Sequence, residues 1–291
     1  MFKVIARRMD RFDRAWLVIN AASGSNNPAA LDDLRACLAD QGIDVARTIS
    51  FPDDDLPEPS SLDAAEVPLV IIYTGDGTLN ATLAGLKGWG GAVLVLPGGT
   101  MNLLSKRLHG DYPPDEIVAV VAAGGARRRR VLKIVGECGD AYAGLLAGPG
   151  THWGNVREAM RDLDIAAVAS GTAEALAAST GDAAVRAVDP PLGRRDGYPL
   201  IDMTPGEHGI QINGYAAATA GELAQQGWAL LRRRFREGPH DRLGIVESIT
   251  LENVDGSPVE VLLDGEQCKG AKSMTFRVAK SEVDLLATHH A

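Results

Sequence analysis

The chain has 291 residues, of which 45% are hydrophobic and 23% charged, a composition typical of a globular protein and not of a disordered, collagen-like or membrane-bundle protein. Its 38 acidic residues outnumber its 29 lysines and arginines, and the formal net charge of −9 argues against a dedicated nucleic-acid-binding protein. The length predicts two domains, and we expect no membrane span because no stretch of roughly 18 apolar residues lacks charges.

The first part of the chain alternates between short apolar segments and segments with helical spacing. Strands are predicted at Ala15–Asn20, Asp44–Ser50, Val67–Tyr73 and Ala92–Leu96, and helices at Ala29–Asp40, from Asn80 onwards and at Ile117–Ala123. The acidic, proline-bearing stretch Phe51–Ser61 predicts a loop. Apolar strands without polar alternation indicate a parallel sheet covered on both faces. We therefore predict a doubly wound, Rossmann-like α/β domain over residues 1–124.

Beyond Gly124-Gly125 the pattern changes to short strands separated by turn signals. Strands are predicted at Val131–Val135, Ala141–Leu146, Ile210–Asn213, Ile245–Glu252, Val259–Leu263 and Met274–Val278, with one helix at about Val156–Ala178. Residues 180–206 are rich in proline and glycine and are expected to form an irregular loop. This pattern predicts a mostly β second domain over residues 125–280.

The cysteines Cys37, Cys138 and Cys268 lie far apart in the chain, and no pair has the spacing of metal ligands. We expect three reduced thiols in a cytoplasmic protein. The N-terminal residues contain no long apolar stretch, so no secretory signal is expected.

Three glycine-bearing segments directly follow predicted parallel strands: Asn20–Ser25, Thr74–Asn80 and Pro97–Asn102. Loops at the carboxyl ends of parallel strands meet at one edge of the sheet, and glycines let backbone N–H groups approach an anion there. The sequence therefore predicts a phosphate site without the lysine of a P-loop. Asp76 would repel a polyanion unless Mg²⁺ lay between them, although an Asx turn also explains an aspartate at this position.

Two carboxylates, Asp264 and Glu266, flank a glycine at the end of a predicted strand. Such a pair suits a general base or a metal site. The spacing alone favours the simpler interpretation, an Asp-Gly hairpin turn followed by a solvated glutamate.

Four of these segments together resemble the catalytic domain shared by diacylglycerol kinases, bacterial lipid kinases and sphingosine or ceramide kinases. In chain order they are Asn20–Gly24 (NAASG, like N-P-x-S-G), Thr74–Asn80 (TGDGTLN, like GGDGT-x-N), Pro97–Asn102 (PGGTMN, like P-x-G-T-x-N) and Leu263–Glu266 (LDGE, like D-G-E). One departure is Thr74, which replaces the first glycine of the GGDGT loop.

The resemblance implies an ATP-binding domain and a β-sandwich-like domain with a cleft between them, and residues 281–291 returning to the first domain. It implies Mg²⁺-dependent transfer of the γ-phosphate of ATP to a lipid hydroxyl, on a diacylglycerol-like or sphingoid acceptor. Glu266 would be the general base with Asp264 beside it, and Asp76 would bind Mg²⁺ or orient the hydroxyl. The implied nucleotide contacts are Asn20, Ala21, Ala22, Ser23, Gly24, Thr48, Thr74, Gly75, Asp76, Gly77, Thr78, Leu79, Asn80, Gly99, Thr100 and Asn102.

Two other functions stay open: a phosphotransferase like NAD kinase, and a nucleotide- or lipid-binding protein whose catalysis has decayed. The basic clusters Arg127–Arg130 and Arg232–Arg236 would attract anionic lipid head groups, or would form a solvated face of an acidic protein. We expect a lipid partner with a free hydroxyl, no nucleic acid, and a cytoplasmic location that includes the inner membrane face. A homo-oligomer is compatible with the sequence.

Overall fold

The computed structural model of the protein describes residues 12–20, 28–99, 102–148, 184–215, 240–264 and 266–289. The chain forms two compact units: unit 1 combines Met1–Val131 with Ser281–Ala291, and unit 2 is Leu132–Lys280. No helix within the described residues is long and apolar enough to cross a membrane.

Unit 1 is built on a six-stranded, mostly parallel sheet. Its strands are β1 (Arg14–Asn20), β2 (Asp44–Phe51), β3 (Leu69–Thr74), β4 (Ala92–Pro97), β5 (Arg127–Arg129) and β18 (Asp284–Ala287), in the order β2-β1-β3-β4-β18-β5. Strands β1 to β4 are parallel to their neighbours, and β18 runs parallel to β4 and antiparallel to β5. The last strand of the chain therefore lies inside the sheet of unit 1.

Helices cover both faces of this sheet. They are α1 (Pro28–Asp40), α2 (Pro59–Ala64), α3 (Asp76–Gly85), α4 (Leu103–His109) and α5 (Pro114–Ala122). On one face Leu17, Ile71 and Leu94 share a buried core with residues of α1 and α5. The opposite face, which includes the buried Val95, contacts α3 and α4. Burial of both faces explains why these strands are apolar throughout and do not alternate with polar residues. The predicted doubly wound sheet is confirmed.

Unit 2 is a sandwich of two antiparallel sheets. One sheet has the order β10-β9-β14-β17-β6-β7 and the other the order β13-β12-β11-β8-β15-β16. Their bounds are β6 (Leu132–Gly136), β7 (Gly139–Ala141), β8 (Leu145–Gly148), β9 (Val185–Asp189), β10 (Pro191–Leu192), β11 (Leu200–Pro205), β12 (Ile210–Tyr215), β13 (Asp241–Val246), β14 (Ser248–Asn253), β15 (Glu260–Leu263), β16 (Glu266–Lys269) and β17 (Ser273–Lys280).

The core of unit 2 lies between its sheets. Phe276 and Leu251 from the first sheet share one buried cluster with Met203, Ile212 and Val261 from the second. Alternate residues of each strand point into this core, which gives the period-two pattern visible in the sequence. The fold class, a parallel α/β sheet followed by antiparallel β-sheets, is therefore as predicted.

One prediction about the elements of unit 2 needs correction. The stretch 180–206 was expected to be irregular, but its described part contains β9, β10 and β11. Its four prolines lie in turns, at strand ends or on an edge strand, where proline is tolerated: Pro190 precedes the edge strand β10, Pro191 begins it, Pro199 precedes β11 and Pro205 ends it. The predicted helix at about 156–178 lies outside the described residues.

The expectation of three reduced cysteines is also wrong. Cys138 and Cys268 form a disulfide with a Cα–Cα distance of 6.1 Å. Cys138 lies in the turn between β6 and β7, and Cys268 lies in β16. The partners are 130 residues apart, so their spacing contains no sign of the pairing. Cys37 on α1 is a free thiol, and burial raises its pKa.

Candidate functional site

Three of the predicted site segments start at the same edge of the unit 1 sheet. In the strand register Ile19 of β1 pairs with Tyr73 of β3, and Thr74 pairs with Pro97 of β4. Asn20, Thr74 and Pro97 therefore end three neighbouring strands at nearly the same height. Ala21, Ala22, Ser23, Gly24 and Thr100 lie outside the described residues.

The loop after β3 leads directly into α3. Gly75 is the N-cap of this helix and Asp76 is its first residue. A Cβ atom placed on Gly75 would meet no heavy atom of the described residues within 4 Å, so the backbone here is open to a ligand. The N–H groups of the first turn and the positive end of the dipole of α3 favour an anion at this place.

A hydrogen bond joins the first loop to the second. The Asn20 side-chain amide donates to Thr78 Oγ1 at 2.8 Å, and Thr78 is 8% exposed. This contact fixes the end of β1 against the first turn of α3. Asn20 and Thr78 therefore shape the site as well as lining it.

The loop after β4 packs tightly on the loop after β3. A Cβ on Gly99 would lie 2.6 Å from Gly75 Cα, and one on Gly98 would lie 2.4 Å from the carbonyl carbon of Tyr73. These distances are too short for any side chain. The glycines of this loop are needed because another backbone lies against them. From the sequence alone, this explanation could not be distinguished from glycines that let a ligand approach the backbone.

Asn102 closes the loop after β4. Its Oδ1 accepts a hydrogen bond from the Gly99 N–H, and its Nδ2 donates to the Gly99 carbonyl, each at 2.7 Å. The residue has a left-handed backbone with φ 53° and is the N-cap of α4. Its side chain therefore holds the loop that carries Thr100.

The other residues of the second loop divide between core and surface. Thr74 is buried and its Oγ1 donates to the Gly75 carbonyl at 3.0 Å. Leu79 is 2% exposed and its N–H donates to the Gly75 carbonyl, so its side chain and its N–H are both engaged within unit 1. Gly77 is exposed in the first turn of α3, and Asn80 is partly buried.

Thr48 lies apart from these loops. It is three residues before the end of β2, about 10 Å along the strand from the edge. It lines a separate cavity of about 550 Å³ together with Arg35, whose guanidinium donates to Thr48 Oγ1 at 3.4 Å. Arg35 was not predictable from the sequence, because an arginine on an exposed helix face has no distinguishing pattern.

In unit 2 the carboxylate of Asp264 is a backbone anchor. It accepts hydrogen bonds from the N–H groups of Tyr142, Ala143 and Gly144 at 2.7, 2.9 and 2.9 Å, and it is 6% exposed. Its own backbone is left-handed with φ 46°. The side chain thus stabilises the connection between β7 and β8.

Glu266 is the first residue of β16 and pairs with Leu263 across a tight turn. Its side chain is exposed, in contrast to the buried Asp264. The two residues are therefore not an exposed carboxylate pair, and Glu266 is the one whose carboxylate lies at the surface.

Within the described residues no three Asp, Glu, His or Cys side chains come together as a metal site. Mg²⁺ in nucleotide sites is often held by one or two carboxylates and by the phosphates of the substrate. Asp76, a single carboxylate at the start of α3, fits such an ion.

The basic segment Arg127–Arg130 is partly used within unit 1. Arg130 donates to Asp284 at 2.6 Å, and Arg128 lies 3.8 Å from the same carboxylate. These ion pairs fasten β18 beside β5. Attraction of this segment to a membrane stays a prediction, and Arg232–Arg236 lies outside the described residues.

Residues 14–134 match the family model of the diacylglycerol kinase catalytic domain. The whole fold is similar to crystal structures of a Bacillus anthracis str. Sterne protein that bears the name diacylglycerol kinase. One has a TM-score of 0.60 and another 0.56; each is 14% identical, and the alignment covers 96% of this chain and 98% of that chain. Comparison with curated protein sequences finds no significant match.

Proposed function

Because this chain belongs to the diacylglycerol kinase catalytic domain family through residues 14–134, we propose that it is an ATP-dependent kinase of a lipid hydroxyl. The family implies a kinase and the use of ATP. The acceptor would be a diacylglycerol-like or sphingoid lipid, and the enzyme would work in the cytoplasm or at the inner face of the membrane. The observation that carries the proposal is the meeting of three strand ends beside the open N-terminus of α3.

In this proposal the triphosphate lies on the backbone of the loop after β3. The N–H groups at the start of α3 would bind phosphate oxygens, because the N-terminus of a helix favours an anion. Thr48, about 10 Å along β2 from this edge, would contact the nucleoside end of the elongated nucleotide.

Glu266 is the proposed general base. It accepts the proton of the lipid hydroxyl while the oxygen attacks the γ-phosphorus in line with the departing ADP oxygen. Asp76 would hold Mg²⁺, which neutralises charge on the phosphate oxygens when it is bound. Catalysis then depends mainly on positioning and charge neutralisation.

The substitution Glu266→Gln tests this assignment. It keeps the size of the side chain but removes its basicity, so we expect kcat to fall by about 10²-fold or more while KM for ATP stays within about twofold. The measurement is transfer of labelled γ-phosphate to a total lipid extract, with mass identification of the product.

The matched control is Glu247→Gln, which changes an exposed carboxylate between β13 and β14. Its activity should equal that of the wild type. Survival of lipid phosphorylation within about tenfold in Glu266→Gln would refute the general-base role. Parallel assays with NAD and with lipid separate the lipid kinase from an NAD kinase, and ATP binding without any transfer would instead identify a decayed enzyme.

A further inference from the structure

The residue proposed as general base lies between two anchors. On one side Asp264, two residues before Glu266, accepts the three backbone hydrogen bonds from Tyr142–Gly144. On the other side Cys268, two residues after Glu266, is bonded to Cys138. The two anchors attach to opposite ends of the short strand β7 (Gly139–Ala141), because Cys138 precedes this strand and Tyr142 follows it.

The disulfide is close to Glu266 along the same strand. In the register of the β15–β16 hairpin Glu266 pairs with Leu263, and Cys268 pairs with Val261. Residues two apart on a strand lie about 7 Å apart. Leu263 and Val261 both face the sandwich core, so Cys268 also faces inward.

Among the described residues, strand β16 has a strand neighbour on one side only. It is four residues long and lies at the edge of its sheet, where β15 is its only strand partner among the described residues. The disulfide joins this edge to the β6–β7 hairpin at the edge of the other sheet. Cys138 and Cys268 are both half-buried, so a thiol reagent can reach them.

We propose that the Cys138–Cys268 disulfide is a redox-sensitive positioning element for Glu266, so that reduction slows phosphoryl transfer. This inference depends on the proposed kinase function. If the enzyme works in a reducing cytoplasm, a disulfide there is typically transient and redox-sensing, and it does not serve as a permanent staple.

The chemistry is thiol–disulfide exchange with a dithiol reductant. A thiolate of the reductant attacks one sulfur, the S–S bond breaks, and its electron pair passes to the other cysteine, which takes a proton. The second thiol of the reductant then displaces the first cysteine. Two electrons and two protons are transferred, leaving two protein thiols and the oxidised reductant.

The test compares the full-length oxidised enzyme with enzyme reduced by dithiothreitol. Differential alkylation and mass spectrometry should find a linked peptide containing Cys138 and Cys268 before reduction and two free thiols afterwards. Reduction should lower kcat by about tenfold or more, because small displacements of a catalytic group are costly, and should leave KM for ATP within about twofold. Reoxidation should restore the rate.

Three variants separate positioning from general destabilisation. Cys138→Ser and Cys268→Ser should each match the reduced wild type in kcat and should not respond to the reductant. Cys37→Ser is the matched control and should keep the full response, since this cysteine is free and lies in unit 1. Assays well below the melting temperature, with native circular dichroism, remove unfolding as the cause.

Hydrogen–deuterium exchange provides a readout that needs no activity. Reduction should speed exchange in peptides that cover residues 264–269 and should leave residues 74–80 unchanged. Absence of the linked peptide, equal kcat in both states, or unchanged exchange at 264–269 would each overturn the inference. A wild type that phosphorylates no lipid in either state would instead refute the proposed function, and the exchange result would still decide the positioning claim.

Discussion

The side chains of Asn102 and Asp264 make hydrogen bonds mainly to backbone groups. Asn102 closes the loop after β4 through both of its amide atoms, and Asp264 holds three consecutive N–H groups. Both residues have left-handed backbones, which asparagine and aspartate tolerate better than most side chains. Residues that a sequence motif marks as functional can therefore owe their identity to the shape of the loop.

The same substitution at two glycines of the site should have different effects on the free energy of unfolding. In Gly99→Ala the new Cβ would lie 2.6 Å from Gly75 Cα, so the two loops must separate. We expect a loss of about 1–3 kcal/mol in the free energy of unfolding, measured by urea denaturation. Weaker ATP binding, measured by calorimetry, should accompany this loss.

Gly75→Ala is the companion variant, because its Cβ would meet no described heavy atom within 4 Å. Its stability should stay within about 0.5 kcal/mol of the wild type. ATP should nevertheless bind more weakly if the phosphates lie against this backbone. Equal stability of both variants would contradict the loop packing, and unchanged ATP affinity in Gly75→Ala would argue against phosphate binding there.

Among the elements, those made of contiguous apolar residues were predictable. The predicted strands Ala15–Asn20 and Ala92–Leu96 differ by one residue at an end from β1 (Arg14–Asn20) and β4 (Ala92–Pro97). The predicted sandwich strands were harder, since the single strand expected at Ile245–Glu252 is divided between β13 and β14.

Short elements stabilised by distant partners were missed. The four-residue strand β18 owes its place to β4 and β5, which are more than a hundred residues earlier in the chain. The helix α4 has only seven residues and depends on the loop closed by Asn102. The candidate site was also predictable only in part. The ends of the apolar strands indicated the edge at which phosphate is expected to bind. The disulfide and the contact between Arg35 and Thr48 arise only from tertiary structure.

Because β18 lies inside the sheet, truncating one of its buried side chains should destabilise the protein. Leu285 is 0% exposed, and we expect Leu285→Ala to lower the free energy of unfolding by about 2–4 kcal/mol through lost burial and a cavity. Val120→Ala, on an exposed valine of α5, is the control and should change stability by less than about 1 kcal/mol. Chemical denaturation measures both, and similar small effects would contradict a central β18.

At the scale of the whole molecule, each unit contains an ionisable side chain whose charged form is disfavoured by burial and whose pKa shift is large. In unit 1 burial lowers the pKa of His109 from 6.5 to about 4; its ring nitrogen Nδ1 lies 2.9 Å from Thr288 Oγ1. In unit 2 burial raises the pKa of Asp202 from 3.8 to about 6, although hydrogen bonds from Asn213 and Thr204 and the charge of His240 oppose this rise. Tyr215 is the other titratable neighbour of Asp202.

The free energy of unfolding should depend on pH in opposite directions through these two groups. Neutral His109 stabilises fully above pH 6.5, and this contribution, about 3 kcal/mol, is lost as the pH falls through about 4. Protonated Asp202 stabilises fully below pH 3.8, and a contribution of up to about 3 kcal/mol is lost as the pH rises through about 6.

Urea denaturation across pH 4 to 8 checks both signs. Relative to the wild type, His109→Gln should gain stability towards low pH, and Asp202→Asn should gain stability towards high pH. The control Val120→Ala removes no titratable group, so its curve should run parallel to that of the wild type. Curves of the two test variants that run parallel to the wild type would contradict these titrations.

The route of the chain through the two units also sets an order for folding during synthesis. Unit 2 is one continuous segment, Leu132–Lys280, and can fold as soon as the ribosome has released it. Until β18 follows, β4 has no strand on its outer side and presents an open edge, the kind of surface that favours aggregation of nascent chains. The unit 1 sheet is therefore completed only after unit 2 has been synthesised, and a chain truncated before β18 would leave the ribosome with that edge uncovered.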